Sequence, residues 1–342
     1  MERLPVALQN TYSDLLSRLE DARIAGHGRD AGTFVRKVIK GRAYWYHQPT
    51  RDAGRSRKQV YVGLETPELL ARIERHRDLV ASDRECAEMV RALAGSRALP
   101  VPPAQVGRLI AALADSGVFR LRAVLVGTVA FQTYAPMLGI RIGAAALATE
   151  DIDVAQFRSI SIAVEDTAPD VLDTLRSVDP KFEPVGGLDA RAPAARYVGS
   201  SVKVDFLTPM RGATEDAPAD LPALGTGAQP LRFLDYLIYR EQPAAILYGS
   251  GVLVNVPDPA RYAWHKLIIS QRRVVRREKA RKDIMQAEIL LDALTTDRPG
   301  DVRDMWHELA GEGRKNWQAL ALDGLEGVNE HVRGRVRQVV GI

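Results

Sequence analysis

Apolar and polar positions along the first hundred residues predict a helix, a small antiparallel sheet and a second, longer helix. Apolar residues recur at helical spacing over 4–24. The segment 33–48 instead alternates and is rich in β-branched and aromatic residues, so we expect two strands joined by a hairpin turn at Lys40-Gly41. Residues 59–64 predict a third strand, and a helix over 67–94 follows it.

Beyond a linker at 95–103, strand and helix patterns alternate. The predicted helices cover 104–116, 128–138 and 168–178, and the predicted strands cover 121–127, 149–154, 159–166 and two segments within 195–209. Four prolines and three glycines within 209–230 predict a long loop, of the kind that is either mobile or functional. A short helix over 233–239, a hairpin over 246–257 and helices after Pro259 complete the pattern.

These elements group into three predicted segments. Residues 1–100 hold a helix, a basic β-meander and a long helix, residues 101–230 form a core, and residues 231–342 are mainly helical. Strands that alternate with helices in the middle segment favour an α+β fold with an α/β-like core.

Composition narrows the class of protein. Of the 342 residues, 46% are hydrophobic and 26% are charged, so the chain can fold around a core. Cys86 is the single cysteine, which excludes an internal disulfide and a cysteine-based zinc site, and we expect it to be buried. We see no secretory signal, and the uncharged stretch 123–140 is too rich in polar, Gly and Pro residues for a membrane span. We therefore expect a cytoplasmic protein with no membrane partner.

Positive charge is concentrated in two segments, although the net charge is only +4. Residues 34–58 carry eight basic side chains and one acidic one, and residues 261–282 carry nine and one. Such runs favour polyanionic partners, namely RNA, DNA or nucleotide phosphates. The alternative is that these side chains are ordinary solvated surface.

The N-terminal meander combines this charge with aromatic rings. Rings that stack on bases, beside cations that bind phosphate, often hold single-stranded nucleic acid. The predicted nucleic-acid-binding residues are Arg36, Lys40, Arg42, Tyr44 and Tyr46. The alternative is that the neighbouring Trp45 packs on the following helix and the charges are solvated.

Carboxylates on predicted strands are the candidate chemistry. Asp151 and Asp153 are two residues apart, so a strand directs both to one face. Asp205 lies in the apolar strand SVKVDFLTP, where burial of an unpaired carboxylate is costly. Three acids on two strands can hold two Mg²⁺ or Mn²⁺ ions for phosphoryl transfer, because these cations prefer oxygen ligands.

The segment ahead of these acids has features of a phosphate-binding turn. LVGT ends a predicted strand and enters a helix at Gly127-Thr128. Glycine allows a phosphate to approach the backbone closely, and the Thr128 hydroxyl and the helix N-terminal amides offer hydrogen-bond donors to anionic oxygens. P-loop, GxGxxG, HExxH and GxSxG motifs do not occur, so most hydrolase and dehydrogenase classes find no support.

In combination, these segments resemble a known superfamily. VGTVAFQTY, TEDIDVA and VKVDFL are similar to the hG[GS], [DE]h[DE] and h[DE]h signatures of nucleotidyltransferases related to DNA polymerase β. FVRKVIKGRAYWYHQ (34–48), WHKLIISQRR (264–273) and KARKDIMQAEILL (279–291) resemble segments of bacterial nucleotidyltransferase-like proteins, which carry FVRK-IKGR-YWY, HKL and KARKD-QA. The interval between Gly127 and Asp151 is long for the superfamily, which predicts an insertion around 139–148.

The resemblance implies a polymerase-β-type core and a set of roles. Gly127 and Thr128 would contact the nucleotide phosphates, and Asp151 and Asp153 would bind the metals. Asp205 would complete the metal site and is the expected base for the acceptor hydroxyl.

Lysines on helices just beyond the core are candidates to neutralise a triphosphate. Lys266 and Lys282 are the predicted nucleotide-binding cations. Lys279 is a further candidate, but it lies four residues before Asp283 and could form a surface ion pair with it instead.

The predicted function is metal-dependent transfer of a nucleoside monophosphate from an NTP to an acceptor hydroxyl. RNA, tRNA or another nucleic acid is the expected acceptor, as in toxin-like tRNA modifiers. Two alternatives stay open: modification of a protein or a small molecule, and a catalytically degenerate protein that only binds nucleotide or nucleic acid.

Overall fold

The computed structural model describes residues 2–24, 32–39, 42–49, 60–147, 149, 151–163, 167–186, 193–212, 217–273, 275–311, 314 and 316–342. The helices are α1 (Val6–Ile24), α2 (Pro67–Gly95), α3 (Ala104–Asp115), α4 (Gly127–Leu138), α5 (Arg158–Ala163), α6 (Val171–Val178), α7 (Leu234–Leu237), α8 (Pro259–Arg272), α9 (Arg277–Asp297), α10 (Pro299–Glu308), α11 (Trp317–Leu325) and α12 (Glu330–Val340). The strands are β1 (Gly32–Ile39), β2 (Arg42–Pro49), β3 (Val60–Leu64), β4 (Val124–Val126), β5 (Asp151–Ala155), β6 (Glu183–Pro184), β7 (Arg196–Val198), β8 (Lys203–Pro209), β9 (Ala219–Leu221), β10 (Thr226–Leu231), β11 (Gln242–Ile246) and β12 (Val252–Val256). The fold is α+β, as predicted.

The N-terminal elements match the sequence pattern. Strands β1, β2 and β3 form an antiparallel meander in that order. Helix α2 begins as predicted, because the Thr66 hydroxyl accepts a hydrogen bond from the Leu69 amide at 3.2 Å and Pro67 occupies the first helical position. Helix α1 packs along α2, and Cys86 is buried between them with Leu15 and Leu93, as expected for an unpaired thiol.

A mixed sheet forms the centre of the molecule. Strand β8 is its middle strand. It pairs in parallel with β5 on one side, and on the other side it pairs antiparallel with β7 and in parallel with β10. Strand β4 lies antiparallel to β5 at one end of the strand order β4-β5-β8-β10-β9. This arrangement places the C-terminal end of β4 next to the N-terminal halves of β5 and β8.

The C-terminal helices share one hydrophobic core with this sheet. Trp264 in α8 and Leu290 and Leu291 in α9 are fully buried in the same cluster as Ile152 and Val204 of the central strands. That cluster extends from α3 to α12. In the described part of the chain, no helix is both long enough and apolar enough to cross a membrane.

Two predictions were wrong at the level of elements. Helix α5 (Arg158–Ala163) takes up residues 159–163 of the predicted strand 159–166, and in it Ser161 is buried and Ile162 is 61% exposed. The buried Ser161 hydroxyl accepts a hydrogen bond from the Ala223 amide at 3.0 Å. The apparent strand alternation therefore does not correspond to a buried apolar face, and tertiary contacts decide the conformation.

The predicted long loop over 209–230 is largely ordered sheet in its described residues. A 3-10 turn at Pro222–Leu224 joins β9 to β10, and Gly225 closes it with a φ of +61°. A Cβ at Gly227 would lie 2.5 Å from the Pro193 carbonyl oxygen, so the glycine allows two backbones to touch. The prolines and glycines that suggested a loop are used for tight turns and close packing within the sheet.

Candidate active site

The pairing of β4, β5 and β8 brings the predicted carboxylates together. In the sheet register, Asp153 of β5 is paired with Val126 of β4 on one side and with Asp205 of β8 on the other. Neighbouring strands lie about 4.8 Å apart, so the two aspartates are adjacent. Asp151 and Asp153 are half-buried whereas Ile152 between them is fully buried, which confirms that the two acids share a face.

Gly127 lies directly against this carboxylate pair. Its φ of +68° is in the left-handed region, and a Cβ on it would lie 2.2 Å from Asp153 Oδ2. Gly127 and Thr128 are half-buried, in contrast to the buried residues on both sides of them. The position therefore requires glycine both for its conformation and for the approach of Asp153.

The predicted insertion does not separate this turn from the acids. After Gly139 ends α4, the chain makes a 3-10 turn at Ala144–Ala146 that packs back on the helices. Gln132 of α4 donates a hydrogen bond to the Leu147 carbonyl at 3.1 Å. The extra residues thus form a compact turn, and β5 still enters the sheet beside β4.

The environment of Asp153 raises its pKa to about 6. Burial is the largest cause, and the negative charges of Asp205 and Asp151 add to it. The positive charges of Lys266 and Lys279 act in the opposite direction. The carboxylates of Asp151, Asp153 and Asp205 repel one another and are partly shielded from water. A cation bound between them would relieve this repulsion.

Asp205 carries a partner that the sequence analysis missed. Arg196 of β7 donates two hydrogen bonds to it, from Nε to Oδ1 at 2.6 Å and from Nη2 to Oδ2 at 3.0 Å. The two residues are directly opposite each other in the β7–β8 hairpin. Counting outward from the predicted turn at Gly199-Ser200 pairs residue 196 with residue 203. The observed loop spans the four residues 199–202, which shifts the partner of Arg196 to Asp205, so the sequence pattern alone did not give this pair.

Lys266 is buried and paired rather than exposed to solvent. Its Nζ lies 2.7 Å from Asp283 Oδ1, and Arg273 Nε lies 2.6 Å from Asp283 Oδ2. Burial lowers the pKa of Lys266, against the opposing effect of Asp283. Asp283 is itself buried, so it is not the surface partner for Lys279 that the spacing suggested.

Lys282 also lies within electrostatic range of Asp151. Burial lowers its pKa, the positive charges of Lys266 and Lys279 lower it further, and the negative charges of Asp283 and Asp151 act in the opposite direction. Helices α8 and α9 therefore bring Lys266, Lys279 and Lys282 within electrostatic range of the carboxylates. Their contact with phosphate stays a prediction.

The same two helices hold the Gly127 turn in place. Tyr262 of α8 lies fully buried, and its hydroxyl is 2.9 Å from the Gly127 carbonyl oxygen and 3.1 Å from Gln286 Oε1. Gln286 of α9 in turn donates a hydrogen bond from Nε2 to the Ala146 carbonyl at 2.8 Å. No short motif marks these residues, since the contact depends on how the helices pack.

Of the predicted nucleic-acid-binding residues, Arg36, Arg42, Tyr44 and Tyr46 lie on the three-stranded sheet, and not on the sheet that carries the acids. Arg36 donates two hydrogen bonds to Glu65, at 2.6 and 2.9 Å. Trp45 is buried and donates a hydrogen bond to the same carboxylate at 3.0 Å, so its ring is not exposed for stacking on a base. Tyr44 and Tyr46 are half-buried, and Lys37 Nζ lies 4.7 Å from the Tyr46 ring centroid. Lys40 lies outside the described residues, as does the side chain of Arg42, the first residue of β2.

The donor chemistry suits a divalent cation, although the side chains are not closed around one point. Across the described ranges, no three His, Cys, Asp or Glu side chains are grouped as ligands of a single ion. Asp205 is bonded to Arg196, and Asp151 and Asp153 present carboxylate oxygens on the shared face. Carboxylate oxygens are the ligands that Mg²⁺ and Mn²⁺ prefer.

The region that matches a known protein family includes this whole site. A family model described as Nucleotidyltransferase matches residues 104–311, more than half of the chain. The match includes the Gly127 turn, the three carboxylates and helices α8 and α9. No curated protein matches the sequence at a significant level.

Proposed function

Because the chain belongs to this nucleotidyltransferase family, we propose that it transfers a nucleoside monophosphate from an NTP to an acceptor hydroxyl at the Asp151, Asp153 and Asp205 site. The observation that supports this most is the close approach of the Gly127 turn to Asp153, with Asp205 on the neighbouring strand. A phosphate-binding turn and a group of carboxylates are the two parts that metal-assisted nucleotidyl transfer needs.

The residues have distinct proposed roles. The Thr128 hydroxyl and the amides at the start of α4 would donate hydrogen bonds to phosphate oxygens. Asp151, Asp153 and Asp205 would hold Mg²⁺ or Mn²⁺, which would neutralise charge on the triphosphate and on the leaving pyrophosphate. Asp205 would accept the proton of the acceptor hydroxyl, and the in-line attack would then release pyrophosphate.

Cations on α8 and α9 complete the proposed nucleotide site. Lys279 is exposed and acts electrostatically on Asp153, so it is placed to meet a triphosphate that the carboxylates hold through a metal. Lys282 is half-buried and interacts electrostatically with Asp151, so we propose that it also binds the triphosphate. Lys266 is buried against Asp283, and its proposed role is to add positive charge from beneath the site.

The surface around the α8–α9 turn favours a nucleic-acid acceptor. Arg272, Arg276, Arg277, Lys279 and Arg281 are all exposed there. Lys279, in the first turn of α9, is one of these exposed residues and also acts electrostatically on Asp153, so this positive surface lies near the proposed nucleotide site. A phosphate backbone would bind such a surface. RNA is therefore the acceptor that we propose, with the N-terminal meander as a second contact.

Label transfer tests this proposal. We expect the protein, with Mg²⁺ or Mn²⁺, to transfer label from at least one α-labelled NTP to total RNA. Asp151→Asn should abolish the transfer, and Asp220→Asn, at an exposed position on the outermost strand β9, is the matched control and should not.

Two outcomes would contradict the proposal in different ways. Label on the protein itself or on a small molecule would replace the acceptor and keep the reaction. No transfer from any NTP, together with tight RNA binding, would favour the alternative of a catalytically degenerate protein.

A further inference from the structure

The Arg196–Asp205 pair ties a proposed metal ligand to another strand through both of the carboxylate oxygens. The guanidinium uses Nε and Nη2, at 2.6 and 3.0 Å. The Asp205 side chain is 17% exposed, whereas that of Arg196 is 57% exposed and lies on the outer side of the pair. Arg196 can therefore leave Asp205 without opening the core.

We propose that Arg196 competes with the divalent cation for Asp205 and so sets the cation affinity of this site. The inference rests on the proposed function, since it concerns the same carboxylates. A guanidinium and a divalent cation can both bind the Asp205 oxygens. Their positive charges would repel each other if both were bound to the same carboxylate. A cation that takes Asp205 as a ligand must displace Arg196 or share the carboxylate with it.

The position of Asp205 makes this competition consequential. Asp205 is paired in register with Asp153, and Asp151 shares the face of β5 on which Asp153 lies. When Arg196 holds Asp205, the cation is left with Asp151 and Asp153 as its carboxylate ligands. When Arg196 moves away, all three acids become ligands and the negative charge at the site increases by one.

A purely structural role is the competing explanation. Cross-strand ion pairs stabilise antiparallel sheets, and Arg196 lies directly opposite Asp205 in such a pair. That role predicts a change in thermal stability on substitution and no change in cation affinity. Cation binding without nucleotide therefore separates the two explanations.

The experiment measures Mn²⁺ binding to the full-length protein, by electron paramagnetic resonance of the free ion and in the absence of nucleotide. Arg196→Ala should lower the Mn²⁺ dissociation constant about two- to tenfold. Arg196→Lys keeps the charge but loses the two parallel hydrogen bonds, so its dissociation constant should fall between those of Arg196→Ala and the wild type.

The chain offers a closely matched control. Arg122 forms a two-bond pair with Glu241 at 2.7 and 3.0 Å, and its side chain and that of Glu241 are 56% and 17% exposed. Arg122→Ala removes the same charge and the same kind of pair, and should leave the Mn²⁺ dissociation constant unchanged.

The outcomes are distinguishable. If Mn²⁺ binds in a way that Asp153→Asn removes, but Arg196→Ala and Arg196→Lys bind it no more tightly than the wild type, Arg196 only stabilises the sheet and the inference is wrong. If neither the wild type nor Arg196→Ala has a Mn²⁺ site that depends on Asp153, the proposed function fails together with the inference.

Discussion

Asp153 shows how neighbouring strands change the chemistry of one side chain. Its carboxylate is held between the Gly127 turn and Asp205, partly away from water. The charged form is therefore disfavoured by burial and by two nearby negative charges, and the pKa rises to about 6. In the absence of a cation, the folded protein loses stability when this group ionises.

We predict that Asp153→Asn stabilises the cation-free protein at neutral pH. Because the folded-state pKa is raised from 3.8 to about 6, the native state binds more protons than the unfolded state between these values. The stability that the protonated Asp153 carboxyl contributes is therefore fully present below about pH 4, and it is lost as the pH rises through 6. The gain for the variant should be on the order of 3 kcal/mol at pH 7 and well under about 1 kcal/mol at pH 4.

Denaturant unfolding in the presence of a chelator, at several pH values, measures this difference. Asp220→Asn at an exposed position of β9 is the matched control. A stability gain for Asp153→Asn that is the same at pH 4 and pH 7 would show that ionisation of Asp153 is not its cause.

At the level of elements, helices α8 and α9 form one wall of the site. Tyr262 and Gln286 connect them to the Gly127 carbonyl and to the turn at Ala146. Asp283 is buried between Lys266 and Arg273, so it fixes two cations with a single carboxylate. The position of the Gly127 turn thus depends on helices that lie more than a hundred residues later in the chain.

Tyr262→Phe tests this dependence. Removing the hydroxyl frees the Gly127 carbonyl, so we expect kcat/KM for the NTP to fall about tenfold or more, with the loss chiefly in KM. Tyr262 acts through Gly127 and is a positioning residue. The stability cost should be about 1 kcal/mol, the usual size for one buried hydrogen bond.

Tyr236→Phe is the control, because the Tyr236 hydroxyl donates a comparable buried hydrogen bond to the Met305 carbonyl at 3.0 Å. It should cost a similar free energy of unfolding and leave the KM for the NTP unchanged. Equal effects of both variants on KM would mean that loss of stability, and not the Gly127 contact, explains the change.

Elements with a strong local signal were predicted correctly. The capped start of α2, the helix after Gly127 and the hairpin at Gly199-Ser200 each follow from residues next to one another in the chain. The errors fell on α5 and on the β9–β10 segment, where Ser161 and Gly227 are explained by contacts with distant backbone. Periodicity reports which faces can be buried, but not which partner buries them.

For the whole molecule, the distribution of charge matters more than its sum of +4. The acids lie where β4, β5 and β8 pair, and exposed arginines together with the exposed Lys279 surround the turn between α8 and α9. In the N-terminal meander, by contrast, Arg36 is already paired with Glu65. We therefore expect the α8–α9 turn to contribute more to binding of a polyanion than Arg36 does.

We predict that Arg276→Ala combined with Arg277→Ala weakens RNA binding. Each lost phosphate contact on a single strand should reduce the slope of log affinity against log salt by about 0.7, so the pair should reduce it by about 1.4. Filter binding or fluorescence anisotropy over a salt series measures the slope. Arg298→Ala with Arg303→Ala, two exposed arginines beyond the other end of α9, is the matched control. Equal slopes for both pairs would exclude the turn as a specific contact.

Local pattern was sufficient for the α+β class and most element types, because each depends on short-range spacing and side-chain type. It also selected Gly127, Asp151, Asp153 and Asp205 as candidate site residues, whose roles stay predictions. Which oppositely charged side chains form ion pairs was decided only by the tertiary structure. Arg196 reaches Asp205 through strand register, and Lys266 reaches Asp283 through helix packing. Tyr262 likewise reaches Gly127 because α8 packs against the start of α4. Such pairings join residues that are distant in sequence, and their energies depend on burial and geometry that no local pattern contains.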